Sequence, residues 1–145
     1  MSNTFRRDLT IGESIEFKVL NMLQRTYPRS YKKEGYAKEW DIYIPEIGEG
    51  VEVKSDQKSQ HTGNLVIEIE FNGKPSALST TKSHVWVFYT GKKYIFTTPK
   101  RIREAVDNAG ITPATFTAKG DYSAKKAYLI RQELIEANSL KVVEE

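Results

Sequence analysis

The sequence predicts an α/β sandwich built on a central mixed sheet with helices flanking it. Three observations carry this. Residues 10 to about 26 repeat apolar positions at helical spacing. Several strand-like stretches follow, and two of them, residues 40–44 and 51–54, are separated only by turn-forming residues. A helix with clear start and stop signals and a further strand come next, and elements in that order pack as helices against a sheet.

In the opening helix, Ile11, Ile15, Val19, Met22 and Leu23 form one apolar face. Thr10 with Glu13 three residues later has the spacing of a capping box, and Tyr27-Pro28 closes the helix. Residues 29–39 are polar and basic, with Lys32, Lys33 and Lys38, and read as a loop or an irregular edge strand. Trp40-Asp41-Ile42-Tyr43-Ile44 and residues 51–54 then pair as a hairpin across Pro45-Glu46-Ile47-Gly48-Glu49-Gly50.

Residues 55–64 read as a polar loop. Residues 65–71 read as a strand with Leu65, Ile67, Ile69 and Phe71 on one face and Val66, Glu68 and Glu70 on the other. After a turn at 72–76 and a loop or short helix to 82, residues 85–89 and 94–97 form a second hairpin. Pro99 suits the first turn of a helix that runs to about 109 and ends at Gly110. Residues 115–118 read as extended and 119–121 as a turn. Residues 126–131 form a strand leading into a short helix through 137, or else one helix covers 123–137; both readings stand. No repeat, low-complexity tract or linker interrupts the chain.

At 145 residues the chain can bury a proper core as one domain. Its formal net charge of +3 suits an anionic partner without requiring one. With no cysteine, a disulfide framework, a thiolate zinc site and a cysteine nucleophile are excluded. No apolar run approaches the ~18 residues of a membrane span. The first eight residues lack the apolar core of a signal peptide. The expected location is the cytoplasm. No P-loop, dinucleotide fingerprint or Ser-His-Asp pattern is present.

The chemistry concentrates in Asp41, Glu52 and Lys54. Side chains alternate along a strand, so Glu52 and Lys54 share a face, and a hairpin brings Asp41 to the same end of the sheet. Two carboxylates can hold a divalent cation, and a lysine beside them can position a water or stabilise a developing anion. Taken alone, the set reads first as a cross-strand salt bridge, because short patterns of this kind are common.

An Asp, a short turn and then apolar-Glu-apolar-Lys, after an amphipathic helix that itself carries Glu, resembles the PD-(D/E)xK nuclease superfamily. The resemblance covers roughly residues 10–98 and implies a restriction-endonuclease-like sandwich. It assigns Asp41 as the motif's Asp, Glu52 as its second acid and Lys54 as its lysine, with Trp40 where the family often has Pro. It further implies Mg²⁺, with Mn²⁺ able to substitute, held by Asp41, Glu52 and the Val53 carbonyl, and Lys54 acting on the attacking water.

On the first helix, Gly12, Glu16, Val19 and Leu23 follow the spacing of archaeal Holliday-junction resolvases. That makes Glu16 the supporting acid and Glu13 the second choice. Glu52-Val53-Lys54-Ser55-Asp56, Thr62-Gly63-Asn64, Ile67-Glu68 and Gly73-Lys74-Pro75-Ser76 ahead of Thr81 and Trp86 also resemble small phage-encoded nucleases, which implies a bacterial or phage-infected host cell.

Among the basic groups, Lys58, Lys74 and Lys82, with Gln57, are the candidates for DNA contact. Lys92, Lys93, Lys100, Arg101 and Arg103 read as solvated surface. Tyr31, Tyr36 and Trp40 can stack on bases, although packing is the first reading of Trp40. Glu68 reads first as a solvated strand residue, and His61 and His84 lack metal-ligand spacing. The expectation is a Mg²⁺-dependent, structure-selective DNA endonuclease, which admits a two-fold homodimer. The alternatives are a sequence-specific homing or restriction enzyme, and an inert nucleic-acid-binding domain of the same fold.

Overall fold

The computed structural model describes residues 3–35, 39–117 and 124–145, with the backbone alone for residues 3–10. Tyr36, Lys38 and the turn expected at 119–121 lie outside them. The chain is mixed α/β. Its first helix, α1, spans Asn3–Gln24, seven residues earlier than the capping signal at Thr10 implies. Thr10 is therefore a mid-helix residue, not an N-cap. Ile15, Val19 and Leu20 are the buried positions of α1, while Ile11 is exposed, so the apolar stripe is rotated from the expected one toward Leu20.

A six-stranded mixed sheet forms the central layer. Its strands are β1 (Tyr31–Lys32), β2 (Ile42–Ile44), β3 (Glu49–Ser55), β6 (Val85–Tyr89), β7 (Lys93–Thr97) and β10 (Lys141–Glu144), in the order β1-β2-β3-β6-β7-β10. The first hairpin forms as expected, with Ile42 opposite Val51 and Ile44 opposite Glu49. Glu49 and Gly50 belong to the strand, so the turn is shorter than the sequence implies. The second hairpin pairs Trp86 with Thr97 and Tyr89 with Tyr94. Between the hairpins β3 and β6 run parallel, with Glu52 beside Trp86 and Lys54 beside Phe88.

The chain leaves β3 through a helical turn, α2 (Ser59–Thr62), where a plain loop was expected, and enters a second sheet. This sheet is antiparallel and holds β4 (Asn64–Phe71), β5 (Lys74–Pro75), β8 (Ala114–Thr117) and β9 (Ala124–Arg131), in the order β5-β4-β9-β8. A 3₁₀ turn at Ala77–Ser79 follows β5. Helix α3 (Pro99–Ala109) matches its signals: Thr98 caps it by accepting from the Arg101 amide, Pro99 opens it, and Gly110 ends it with φ of 66°. At the C-terminal end, the strand-then-helix reading holds, since β9 runs into α4 (Gln132–Ala137).

Alternation on β6 divides the core in two. Val87 and Tyr89 face α1 and pack with Ile15, Val19, Ile42, Ile44, Val51 and Phe96. Trp86 and Phe88 face the other way, against Leu65 and Ile67 of β4, Ile130 of β9, and α3 and α4. The inward face of β4 is thus the expected one for Leu65 and Ile67, while Phe71 is exposed. Asp56 is the joint between the sheets. Its amide donates to the Tyr89 carbonyl at 2.8 Å, and its carboxylate accepts from the Val66 amide at 2.9 Å. Among the described residues no helix is long and apolar enough to cross a membrane.

Candidate active site

The hairpin ladder becomes irregular at Asp41, just before β2. The Asp41 amide donates to the Val51 carbonyl at 2.9 Å, and the Asp41 carbonyl accepts from Lys33 at the same distance. The Asp41 carboxylate then takes the place of a ladder partner and accepts the Val53 N–H at 2.8 Å. Asp41 is buried, and this bond holds its side chain against the middle of β3. The two halves of the motif, separate in sequence, are thereby joined. For Val53, expected to offer its carbonyl, the structure fixes the N–H.

Val51 faces the α1 core, so alternation puts Glu52 and Lys54 on the opposite face, beside Trp86 and Phe88. The Lys54 ammonium lies 3.2 Å from the Glu52 carboxylate and 5.4 Å from the centre of the Trp86 ring. Both side chains keep partial access to solvent, 40% for Lys54 and 24% for Glu52. The pair can exchange partners, since an ion pair this open is held by little. Beside Glu52 lies a pocket of about 260 Å³ lined by Glu39, Ala77, Thr80, Thr81, Lys82 and Trp86. Trp86 Nε1 donates to the Thr81 hydroxyl at 3.1 Å, and Arg103 of α3 anchors the 3₁₀ turn through the Leu78 carbonyl at 2.7 Å. Ala77, at the lip, has φ of 45°, a strained value for a residue with a side chain.

On α1, Glu16 is half-buried and Glu13 is exposed. Glu16 lies 3.6 Å from the Lys32 ammonium of β1, which also sits 4.8 Å from the Phe17 ring. Among the described residues no three carboxylate or histidine side chains converge closely enough to cage a metal ion. Asp41 and Glu52 nonetheless fit Mg²⁺ in kind, because that ion takes one or two carboxylates and keeps several waters. Glu68 stands on the second sheet, accepting from the Ser76 hydroxyl at 2.8 Å and lying 3.9 Å from Lys125.

The structure separates the four expected DNA contacts. Lys82 borders the pocket, 3.4 Å from Glu39. Gln57 and Lys58 are exposed just beyond the end of β3, with the Gln57 amide 3.4 Å from the Ser55 hydroxyl. Lys74 is on β5, at an edge of the second sheet. Arg101, Arg103 and Lys93 are tied to Asn138, Leu78 and Glu136. Trp40 does pack, its ring 5.0 Å from Tyr43. His84 braces β3 by accepting the Gly50 N–H. Glu39 and Thr80 were missed; they lie in stretches with no periodicity, and only folding brings them beside Glu52.

No family model, curated protein or solved structure matches the chain.

Proposed function

We propose that the protein is a Mg²⁺-dependent DNA endonuclease that hydrolyses phosphodiester bonds. The observation that carries the reading is the bond from the Val53 amide to Asp41, which sets a buried carboxylate beside an acid–lysine pair on the next strand. Asp41 and Glu52 would hold the ion, which when bound supplies charge neutralisation at the phosphate and lowers the pKa of a bound water. Asp41 is pre-oriented for this, since its backbone donor fixes the carboxylate before any ligand arrives. Lys54 exchanges Glu52 for the reacting phosphate or the attacking water as substrate enters. Glu16 would support from the α1 side of the sheet, where it pairs with Lys32, and not from the face that carries Glu52 and Lys54. Lys82, which borders the pocket beside Glu52, would meet a phosphate there, and Gln57 and Lys58 would do so beyond the end of β3. Structure-selective cleavage, with a homodimer to match a two-fold substrate, is the preferred form of the reading.

A second reading, an inert nucleic-acid-binding domain, is favoured by the pairing of Lys54 with Glu52. One experiment separates the two. Four-way junctions, flaps and linear duplexes are incubated with the protein and Mg²⁺ or Mn²⁺, with Lys54→Ala alongside. The nuclease reading expects metal-dependent cleavage of one structure, lost by at least about 100-fold in the variant while folding and DNA binding persist. Full cleavage by Lys54→Ala would end it, and binding without cleavage would establish the second.

A further inference from the structure

Among the described residues, the face of the central sheet that carries Glu52 and Lys54 is only partly covered. Over β6 and β7 it is closed by the second sheet, which buries Trp86, Phe88 and Ile95. Over β1, β2 and the start of β3 it carries a ladder of aromatic rings instead. Tyr31 stands opposite Tyr43 with ring centres 5.9 Å apart, and Tyr43 lies 5.0 Å from Trp40. Trp40 rests on the backbone of Gly50, where an added β-carbon would come within 2.9 Å of three Trp40 atoms. Lys33 places its ammonium 4.7 Å from the Trp40 ring. Gly50, Glu52 and Lys54 alternate onto the same face of β3, so the ladder leads directly to the acid–lysine pair.

The outer end of the ladder is open. Tyr31 is 49% exposed. A ring that served only to cover Tyr43 would be expected to bury more of itself on an edge strand that carries no other aromatic residue. An exposed ring, a cation two rings further in, and a path along the same face to the proposed phosphate-cleaving site together match the chemistry of an unpaired nucleic-acid strand, whose bases stack on aromatic side chains while lysines meet its phosphates. The body of a duplex does not fit the ladder, because both faces of each internal base are already stacked.

We propose that Tyr31, Tyr43, Trp40 and Lys33 form a stacking platform for a single-stranded segment of DNA that flanks the bond to be cut. Tyr31 takes a base, and Lys33 leaves the Trp40 ring for the neighbouring phosphate. The substrate is then a branched or flapped DNA rather than a continuous duplex. This rests on the nuclease reading for its substrate, but its test does not depend on catalysis.

Binding of a labelled oligothymidine and of a blunt hairpin duplex is measured by anisotropy in EDTA for the wild type, Tyr31→Phe and Tyr31→Leu. Leucine keeps an apolar contact with Tyr43 but has no ring face, and an unfolding midpoint confirms that the variant folds. The expected result is tighter binding of the single strand by the wild type, unchanged in Tyr31→Phe and weakened roughly tenfold in Tyr31→Leu, with duplex binding unaffected. Equal losses for both ligands, or no loss in Tyr31→Leu, would overturn the platform. Tyr31-dependent binding with no cleavage under Mg²⁺ would sustain the platform while ending the nuclease reading. Cleavage of a flapped substrate by Tyr31→Leu at the wild-type rate would do the reverse.

Discussion

In the proposed site Asp41 would have two separable jobs, and its variants should divide them. The carboxylate accepts the Val53 amide from a buried position, which is a structural duty, and in the proposed site it also carries negative charge, which is a chemical one. Asn retains an acceptor oxygen and loses the charge. Asp41→Asn is expected to unfold near the wild-type denaturant midpoint while losing metal-dependent cleavage. Asp41→Ala leaves the Val53 N–H without this acceptor and should cost about 1–3 kcal/mol as well. If both variants kept wild-type stability, the bond to Val53 would not be structural; if Asp41→Asn cleaved normally, the charge would not be chemical. The acid–lysine pair was legible because strand alternation fixes which residues share a face. The grip of Asp41 on Val53 was not, because it arises where the ladder departs from regular pairing, and no periodicity encodes an irregularity. The Trp40–Gly50 contact was hidden for a similar reason, since nothing in the sequence says that a ring will lie across that particular glycine.

At the scale of elements, local signals decided what could be read. Thr98, Pro99 and Gly110 act within one or two turns of α3, and the sequence shows its bounds correctly. Thr10 and Glu13 present an equally good capping box, yet the helix runs through them from Asn3, because a capping signal cannot stop a stretch that is helical on both sides. Strand β10 escaped notice because Lys141–Glu144 is short and its partner β7 is far away in sequence. The end of β10 is held by charge. The Glu145 carboxylate accepts from the Tyr89 hydroxyl at 2.5 Å and from the Lys18 ammonium at 2.9 Å. The Tyr89 bond and then that to Lys18 hold the Glu145 carboxyl below its usual range, and Lys18 is raised by the same contact. Tyr89 is pushed up to about 12, by the bond to Glu145 first and by burial second. A carboxyl lowered in the folded state stabilises above its ordinary value of 4.5, and that contribution is lost as pH falls through the folded value. The raised Tyr89 contributes fully below its ordinary 10.0 and loses its share as pH rises through about 12. Glu145→Gln should therefore be less stable than the wild type near neutrality, and the gap should close in acid as pH falls through the lowered folded value. Urea unfolding of both proteins across this range checks it; a gap that persisted in acid would mean that the loss is steric and not one of charge.

The whole molecule is organised by one strand that serves two cores. Residues 85–89 give Trp86 and Phe88 to the core beneath the second sheet, and Val87 and Tyr89 to the core beneath α1. This could not be read from the chain: β6 is a continuous apolar run that fits any buried strand, and β4 pairs with β9 across some sixty residues that carry no mark of their partner. The consequence is thermodynamic coupling. Removing side chains from either core loosens the same strand, so the loss should be felt by the other core. Leu65→Ala empties a fully buried position on one side and Val19→Ala does so on the other. Leu65→Ala should cost about 2–5 kcal/mol and Val19→Ala somewhat less, for the smaller volume removed. Each variant, carried in a Trp40→Phe background so that Trp86 is the remaining tryptophan, should show one transition in which tryptophan fluorescence and far-ultraviolet circular dichroism lose their signals together. Two transitions, with Val19→Ala shifting only the helical signal and Leu65→Ala only the fluorescence, would show that the layers unfold separately. A single transition also bears on the site, because Asp41, Glu52 and Lys54 are held by the strands β2 and β3 next to that shared strand, and a distant core defect should then weaken metal-dependent activity only in proportion to the fraction unfolded.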